Sequence, residues 1–173
     1  MLKIGMLTSG GDCQGLNAAL RGVAKTLYNE LGDKITIYGI RDGYRGLIEG
    51  DYHEMLPEDF SDILTVGGTI LGTSRQPFKE MRKTIEDSEE TKLDKMLRTV
   101  KKAGFDCLVI LGGNGTHKTA NLLSMKGVNV VTLPKTIDND LWGTELTFGF
   151  QSAIDIASTV IDSIHSTAFS RSE

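Results

Sequence analysis

Apolar residues recur in two rhythms along this chain, and the rhythm changes at glycines. "KIGMLTS" (Lys3–Ser9) is a short apolar run that stops at Gly10-Gly11, the pattern of a strand. Leu16, Leu20, Val23, Leu27 and Leu31 then fall on one side of a helix over Leu16–Leu31. "KITIYGI" (Lys34–Ile40) is β-branched and bounded by Asp33 and Asp42, which predicts a second strand. Further on, the spacing predicts a helix over Thr91–Gly104 and a fully buried strand over Asp106–Gly113. A helix over Thr116–Gly127, a strand over Val128–Pro134 and a long amphipathic helix over Gly149–Ala168 complete the pattern.

Strand and helix alternate with short connections, so the crossovers read as βαβ units. The expected fold is α/β: a doubly wound, mainly parallel sheet with helices on both faces. Such sheets bind ligands at the carboxyl ends of their strands. That rule selects three stretches: "TSGGDCQG" (Thr8–Gly15), "LGGNGTHK" (Leu111–Lys118) and the residues after Pro134. They are expected to face one cleft.

Composition narrows the function. The 173 residues fit one domain. A net charge of -4 argues against a nucleic-acid backbone as partner, though not against phosphorylated metabolites. No uncharged apolar stretch is long enough to predict a membrane span, and the first residues lack the pattern of a signal peptide, so the expected location is cytoplasmic. Cys13 and Cys107 have no zinc spacing, and His53, His117 and His165 are scattered.

Glycines between a strand and a helix let backbone N–H groups turn toward an anion, and a helix N-terminus adds partial positive charge. On Gly10-Gly11 alone, a bare turn and a phosphate cradle fit equally well. Gly112, Gly113 and Gly115 repeat the logic, with Asn114 offering an uncharged carbonyl and Thr116 following. The Gly-Lys-Ser/Thr ending of a P-loop is absent. "LPKTIDNDLWGT" (Leu133–Thr144) supplies ionisable groups. Asp138 and Asp140 share a face if the segment is extended and converge differently in a turn. One carboxylate can take a proton while its neighbour holds a cation or a donor, and Lys135 can steady a phosphate. As bland alternatives, Asp138 is a turn cap and Lys135 a solvated charge. Arg75 is either a phosphate ligand or an ordinary surface arginine. Trp142 is expected to pack under its loop, Tyr28 and Tyr44 to be core or rim residues, and Lys79–Lys92 to be a solvated run.

Five motifs in order, "GGDCQGLNAALRG", "GYRGL", "GGTILGTSR", "GGNGT" and "PKTIDND", resemble the N-terminal part of the 6-phosphofructokinase family, from Lys3 to about Ala168. The resemblance implies phosphoryl transfer from ATP to the 1-hydroxyl of fructose 6-phosphate, with Mg²⁺. It implies Asp138 as the base, with Thr136 and Ile137 lining the sugar site beside it. Asp140 would organise the metal and the transferring phosphate, with Lys135 beside it. Gly11, Arg75, Gln76 and Gly112–Thr116 would meet the nucleotide. A lipid or NAD kinase would explain "GGNGT" but not "PKTIDND".

Within the family, glycine at 115 goes with ATP, whereas Lys135 is commoner in members that use pyrophosphate. Asn114 stands where an acidic metal-associated residue is usual, and Arg41 where many bacterial members have an aromatic. Glu173 stands near where a substrate-binding arginine is expected. The resemblance also implies a second, substrate-binding domain, missing from 1–173, and a homo-oligomer. A truncated, inactive nucleotide-binding fragment is the alternative.

Overall fold

The computed structural model describes residues 1–85 and 88–170. Its main elements are β1 (Leu2–Ser9), α1 (Leu16–Leu31), β2 (Ile35–Ile40), α2 (Tyr44–Glu49), β3 (Tyr52–Met55) and α3 (Lys92–Ala103). They continue with β4 (Cys107–Gly112), α4 (Asn114–Met125), β5 (Val130–Thr136), β6 (Phe148–Gly149) and α5 (Phe150–Phe169). The strands form one sheet in the order β3-β2-β1-β4-β5-β6. β2 pairs with β3 antiparallel; the other pairings are parallel.

Alternation along the strands sorts side chains to two faces. Ile4, Met6, Val109 and Leu111 join one apolar cluster, covered by Leu16, Leu20 and Ala24 of α1. Leu7, Leu108 and Ile110 join the other, under α3 and α4. Each such fully buried side chain contributes roughly 1.5–3 kcal/mol of apolar burial. The central strands β1 and β4 are therefore covered on both faces, as their near-continuous apolar runs require, while Val131 of β5 and Phe148 of β6 stay exposed. α3 is also specified locally. Thr91 and Asp94 form a reciprocal capping box at its start, and Gly104 ends it in the left-handed conformation.

The expected α/β fold stands, with several corrections. α2 lies in "RDGYRGLIEGD" (Arg41–Asp51), a glycine-punctuated stretch whose spacing predicts no element, and β3 follows it. Gly43 makes the bend into α2: at φ 64 a Cβ there would lie 2.5 Å from the Thr8 carbonyl. β5 continues past Pro134, so Lys135 and Thr136 belong to a strand, paired with Phe148 and Gly149. α4 begins at Asn114, so the "GGNGT" stretch already contains the first helical turn. Trp142 does not pack under its loop; it is fully exposed. Met81, inside the run expected to be solvated, is fully buried, while Glu86 and Asp87 of that run lie outside the described residues. So does Glu173. α5 has its apolar residues in helical register, yet none of its residues is buried. No helix among the described residues is long and apolar enough to cross a membrane.

Candidate active site

In the order β3-β2-β1-β4-β5-β6, successive strands are added to one side of β1 and then, from β4, to the other, so the strand order reverses between the parallel β1 and β4, and a crevice opens there. The crevice is a cleft of about 520 Å³. Ser9–Cys13 follow β1 into it; Arg75–Phe78 wall one side; Gly113, Gly115 and Thr116 come from the start of α4; Lys135–Asp138 come from the end of β5. The three stretches selected from the sequence do converge.

Arg75 is carried on an irregular segment held at many points. The Gly10 N–H donates to the Ser74 carbonyl at 3.1 Å, and Thr73 Oγ1 returns a bond to the Gly10 carbonyl at 2.6 Å. Thr8 Oγ1 donates to the Gly72 carbonyl at 2.8 Å, and Ser74 Oγ to that of Asp42 at 2.6 Å. Deeper, buried Asn17 donates to the Val66 carbonyl at 3.0 Å and accepts the Ile70 N–H at 2.8 Å. These bonds set the guanidinium over Gly11, where an added Cβ would stand 3.6 Å from Arg75 Nη2. Arg75 has no ion pair among the described residues. Beside it, Lys92 Nζ donates to Gln76 Oε1 at 2.9 Å.

Lys135 is the buried cation of the site, with 5% exposure. Its Nζ donates to the Gly11 carbonyl. Among the described residues no carboxylate forms an ion pair with it. Burial pulls its pKa below the ordinary lysine value; Cys13 and Asp12 oppose that, and Arg75 adds to it. An ammonium out of water without a counter-ion is unfavourable, so an anion entering the cleft relieves it. Cys13 lies close by, its thiol pushed up by burial and drawn down by Lys135.

The glycines separate into two kinds. A Cβ on Gly112 would overlap the Thr116 side chain, so the fold itself requires that glycine, and it does not line the cleft. A Cβ on Gly115 would meet no atom within 4 Å. The fold does not need that glycine, which leaves room for something else. No side chain caps α4, so its first N–H groups are available to a ligand.

The segment at 137–140 is not extended. Asn139 takes φ 51, which turns the chain between the two aspartates. Asp138 lines the cleft; Asp140 does not, and Asn114 sits on a separate hollow beside His117 and Trp142. The structure thus gathers Gly11, Arg75, Gln76, Gly113, Gly115, Thr116 and Lys135–Asp138, and leaves Gly112, Asn114 and Asp140 outside the lining. Among the described residues no three His, Cys, Asp or Glu side chains are grouped to hold a metal. Sequence reasoning missed Thr8, Asn17, Thr73 and Asn139. Their signal is faint, because a Thr or Asn near a glycine turn marks many ordinary loops.

A switch-point cleft with bare backbone, two basic side chains, Arg75 and Lys135, and two carboxylates, Asp12 and Asp138, defines a phosphate-handling α/β domain. The chain matches the phosphofructokinase family over residues 3–173, and it belongs to that family. It is similar to an ATP-dependent 6-phosphofructokinase of Spirochaeta thermophila, 58% identical over 95% of this chain and 45% of that relative. A second similar protein is ATP-dependent 6-phosphofructokinase 3 of Bacteroides thetaiotaomicron, 48% identical over 98% of this chain and 49% of the relative. The chain thus spans about half the length of these curated relatives. Among solved structures, a Saccharomyces cerevisiae phosphofructokinase superposes with a TM-score of 0.77 at 29% identity, covering 98% of this chain and 25% of that one. A pyrophosphate-dependent phosphofructokinase of Nitrosospira multiformis shares the fold, with a TM-score of 0.76 at 21% identity over 99% of this chain and 43% of the other.

Proposed function

We propose that this chain is the donor-binding half of a 6-phosphofructokinase and carries its catalytic base. The reaction moves the terminal phosphoryl group of ATP to the 1-hydroxyl of fructose 6-phosphate, giving fructose 1,6-bisphosphate and ADP. The observation that carries the reading is the arrangement of Arg75, Lys135 and Asp138 around one cleft whose floor is bare glycine backbone.

In this reading the α4 N-terminus, the Gly11 region and Arg75 hold the phosphates, with Gln76 beside the nucleotide. Lys135 leaves the Gly11 carbonyl for a phosphate oxygen. Thr136 and Ile137 line the sugar side. The Asp138 carboxylate takes the hydroxyl proton as the new O–P bond forms and the bond to ADP breaks. Chemistry of this type is mostly positioning and charge stabilisation, which such a cleft supplies. Asp140 and Asn114 present hard oxygen donors, which suits Mg²⁺ held mainly by the nucleotide's phosphates and water. When bound, Mg²⁺ would neutralise phosphate charge. A cytoplasmic location and a homo-oligomer go with the same reading, the latter supported by the exposed apolar residues of α5.

Pyrophosphate as donor is the second reading, favoured by buried Lys135. The open space at Gly115 favours ATP. Calorimetric titration with ATP and with pyrophosphate, each with Mg²⁺, separates them, followed by a fructose 6-phosphate phosphorylation assay on the same sample. Asp138→Asn is expected to keep donor affinity and lower turnover by about 10²–10⁴-fold, the usual worth of a general base. Undiminished turnover in that variant would remove Asp138 from the role. ATP binding without turnover by the unaltered chain would mean that the donor half folds but needs groups the chain does not supply.

A further inference from the structure

Asp138 has little of its own to hold it. Its side chain is exposed, and the carboxylate accepts no hydrogen bond from the described residues. Its position therefore depends on the backbone to either side. On one side, its N–H donates to Thr136 Oγ1 at 3.2 Å. On the other, the chain turns through Asn139 at φ 51, a conformation asparagine tolerates better than most residues with a Cβ. Asn139 uses both ends of its amide. Oδ1 accepts the Thr147 N–H at 3.0 Å, and Nδ2 donates to the Glu145 carbonyl at 3.1 Å. Thr147 is buried, and its hydroxyl donates to the Thr136 carbonyl at 2.7 Å, at the end of β5. The far end of the loop is thereby anchored to the sheet, and Asn139 is anchored to the far end.

We propose that Asn139 is a positioning residue: by stapling the two ends of the 136–147 loop together, it fixes where the Asp138 carboxylate stands in the cleft. The inference rests on Asp138 being the base. It adds a residue that does not itself line the cleft.

The test compares the unaltered chain with Asn139→Gly, which keeps the left-handed backbone but loses the staple. Asn139→Asp is the conservative variant, keeping the Oδ acceptor and losing the Nδ2 donor. Three quantities are read: ATP affinity with Mg²⁺ by calorimetry, turnover of fructose 6-phosphate, and the Asp138 ¹³Cγ resonance in labelled protein. For Asn139→Gly, ATP affinity stays where it was, because the cradle does not contain Asn139, while the melting temperature falls only slightly as the Thr147 N–H and the Glu145 carbonyl lose their partner. Turnover falls by about 10²-fold, the scale on which a misplaced catalytic group acts, and the Asp138 resonance shifts or broadens. Asn139→Asp lies between. A Gly variant with the turnover and Asp138 resonance of the unaltered chain overturns the inference. So does a loss of ATP affinity and melting temperature that tracks the loss of turnover, since that would mark a merely structural residue. If the unaltered chain shows no turnover, the Asp138 resonance alone decides. If it binds no donor, the proposed function fails, and the resonance still decides the staple.

Discussion

Arg75 and Asp138 reach the same cleft on segments built in different ways. The segment carrying Arg75 is bonded along its length to the end of β1 and to buried Asn17. The segment carrying Asp138 has exposed Ile137, Trp142 and Leu146 and leads into a helix with no buried residue. Both pivot on an asparagine whose amide bonds to loop backbone. Asn17 does so from inside the core, Asn139 from the rim. The charge proposed to meet the donor therefore rests on a segment bonded along its length to the core, and the group proposed to take the proton on an exposed one held at few points. Lys135 links the two, rooted in β5 and reaching the Gly11 carbonyl.

The most damaging change expected on the Arg75 side is Asn17→Ala. It removes the hydrogen bonds to the Val66 and Gly67 carbonyls and from the Ile70 N–H, which are part-buried, at roughly 0.5–1.5 kcal/mol for each bond lost. A loss of about 3 kcal/mol in urea unfolding is expected, with weaker ATP binding as Arg75 loses its support. A change within experimental error would mean that this segment is not held as described.

Lys135→Met comes next, with donor affinity falling by the equivalent of about 1.5–3 kcal/mol, the worth of a hydrogen bond to a charged group. Its pH dependence has a definite sign. Burial lowers the Lys135 pKa, so the unaltered chain should lose donor affinity on raising the pH at values below the ordinary 10.5, while the Met variant stays flat. In the window between the lowered and ordinary values the unfolded chain binds more protons than the folded one. Stability therefore rises with pH there, and it does so only while the lysine is present. Calorimetry and urea melts across alkaline pH check both.

Gly115→Ala sharpens the contrast between fold and ligand. Nothing in the protein meets the new Cβ, and alanine is favoured over glycine in a helix by up to about 1 kcal/mol. Stability should hold or rise, while ATP affinity falls and pyrophosphate affinity does not. Loss of stability would show that the glycine serves the fold after all. The smallest effect is expected on the exposed side. Ile161→Glu on α5 should cost under about 0.5 kcal/mol in the monomer and shift any self-association seen by light scattering toward smaller species.

Much of this was legible in the sequence because strand and helix periods are strong there. α1 runs over the residues its leucine spacing indicated, and buried β4 follows from an unbroken apolar run. The end of β5 was not legible. Pro134 reads as a stop, and what carries the strand to Thr136 is pairing with Phe148-Gly149, a contact distant in sequence. The same limit hid Asn17 and Asn139, whose partners lie well along the chain. Local spacing also could not tell Gly112 from Gly115. One is wanted by a neighbouring threonine and the other by empty space, a difference that exists only after folding. Nor could spacing choose between an extended segment and a turn at Asp138 and Asp140; the left-handed residue between them makes it the turn.

Trp142 is the one tryptophan of the chain, and it stands wholly in solvent on the loop that begins at Asp138. The protein thus carries its own optical probe on the loop beside the cleft. Its emission should start red-shifted and open to quenching by iodide. Any ligand or partner that closes over this loop would register as a blue shift, without a label and without interference from a second indole.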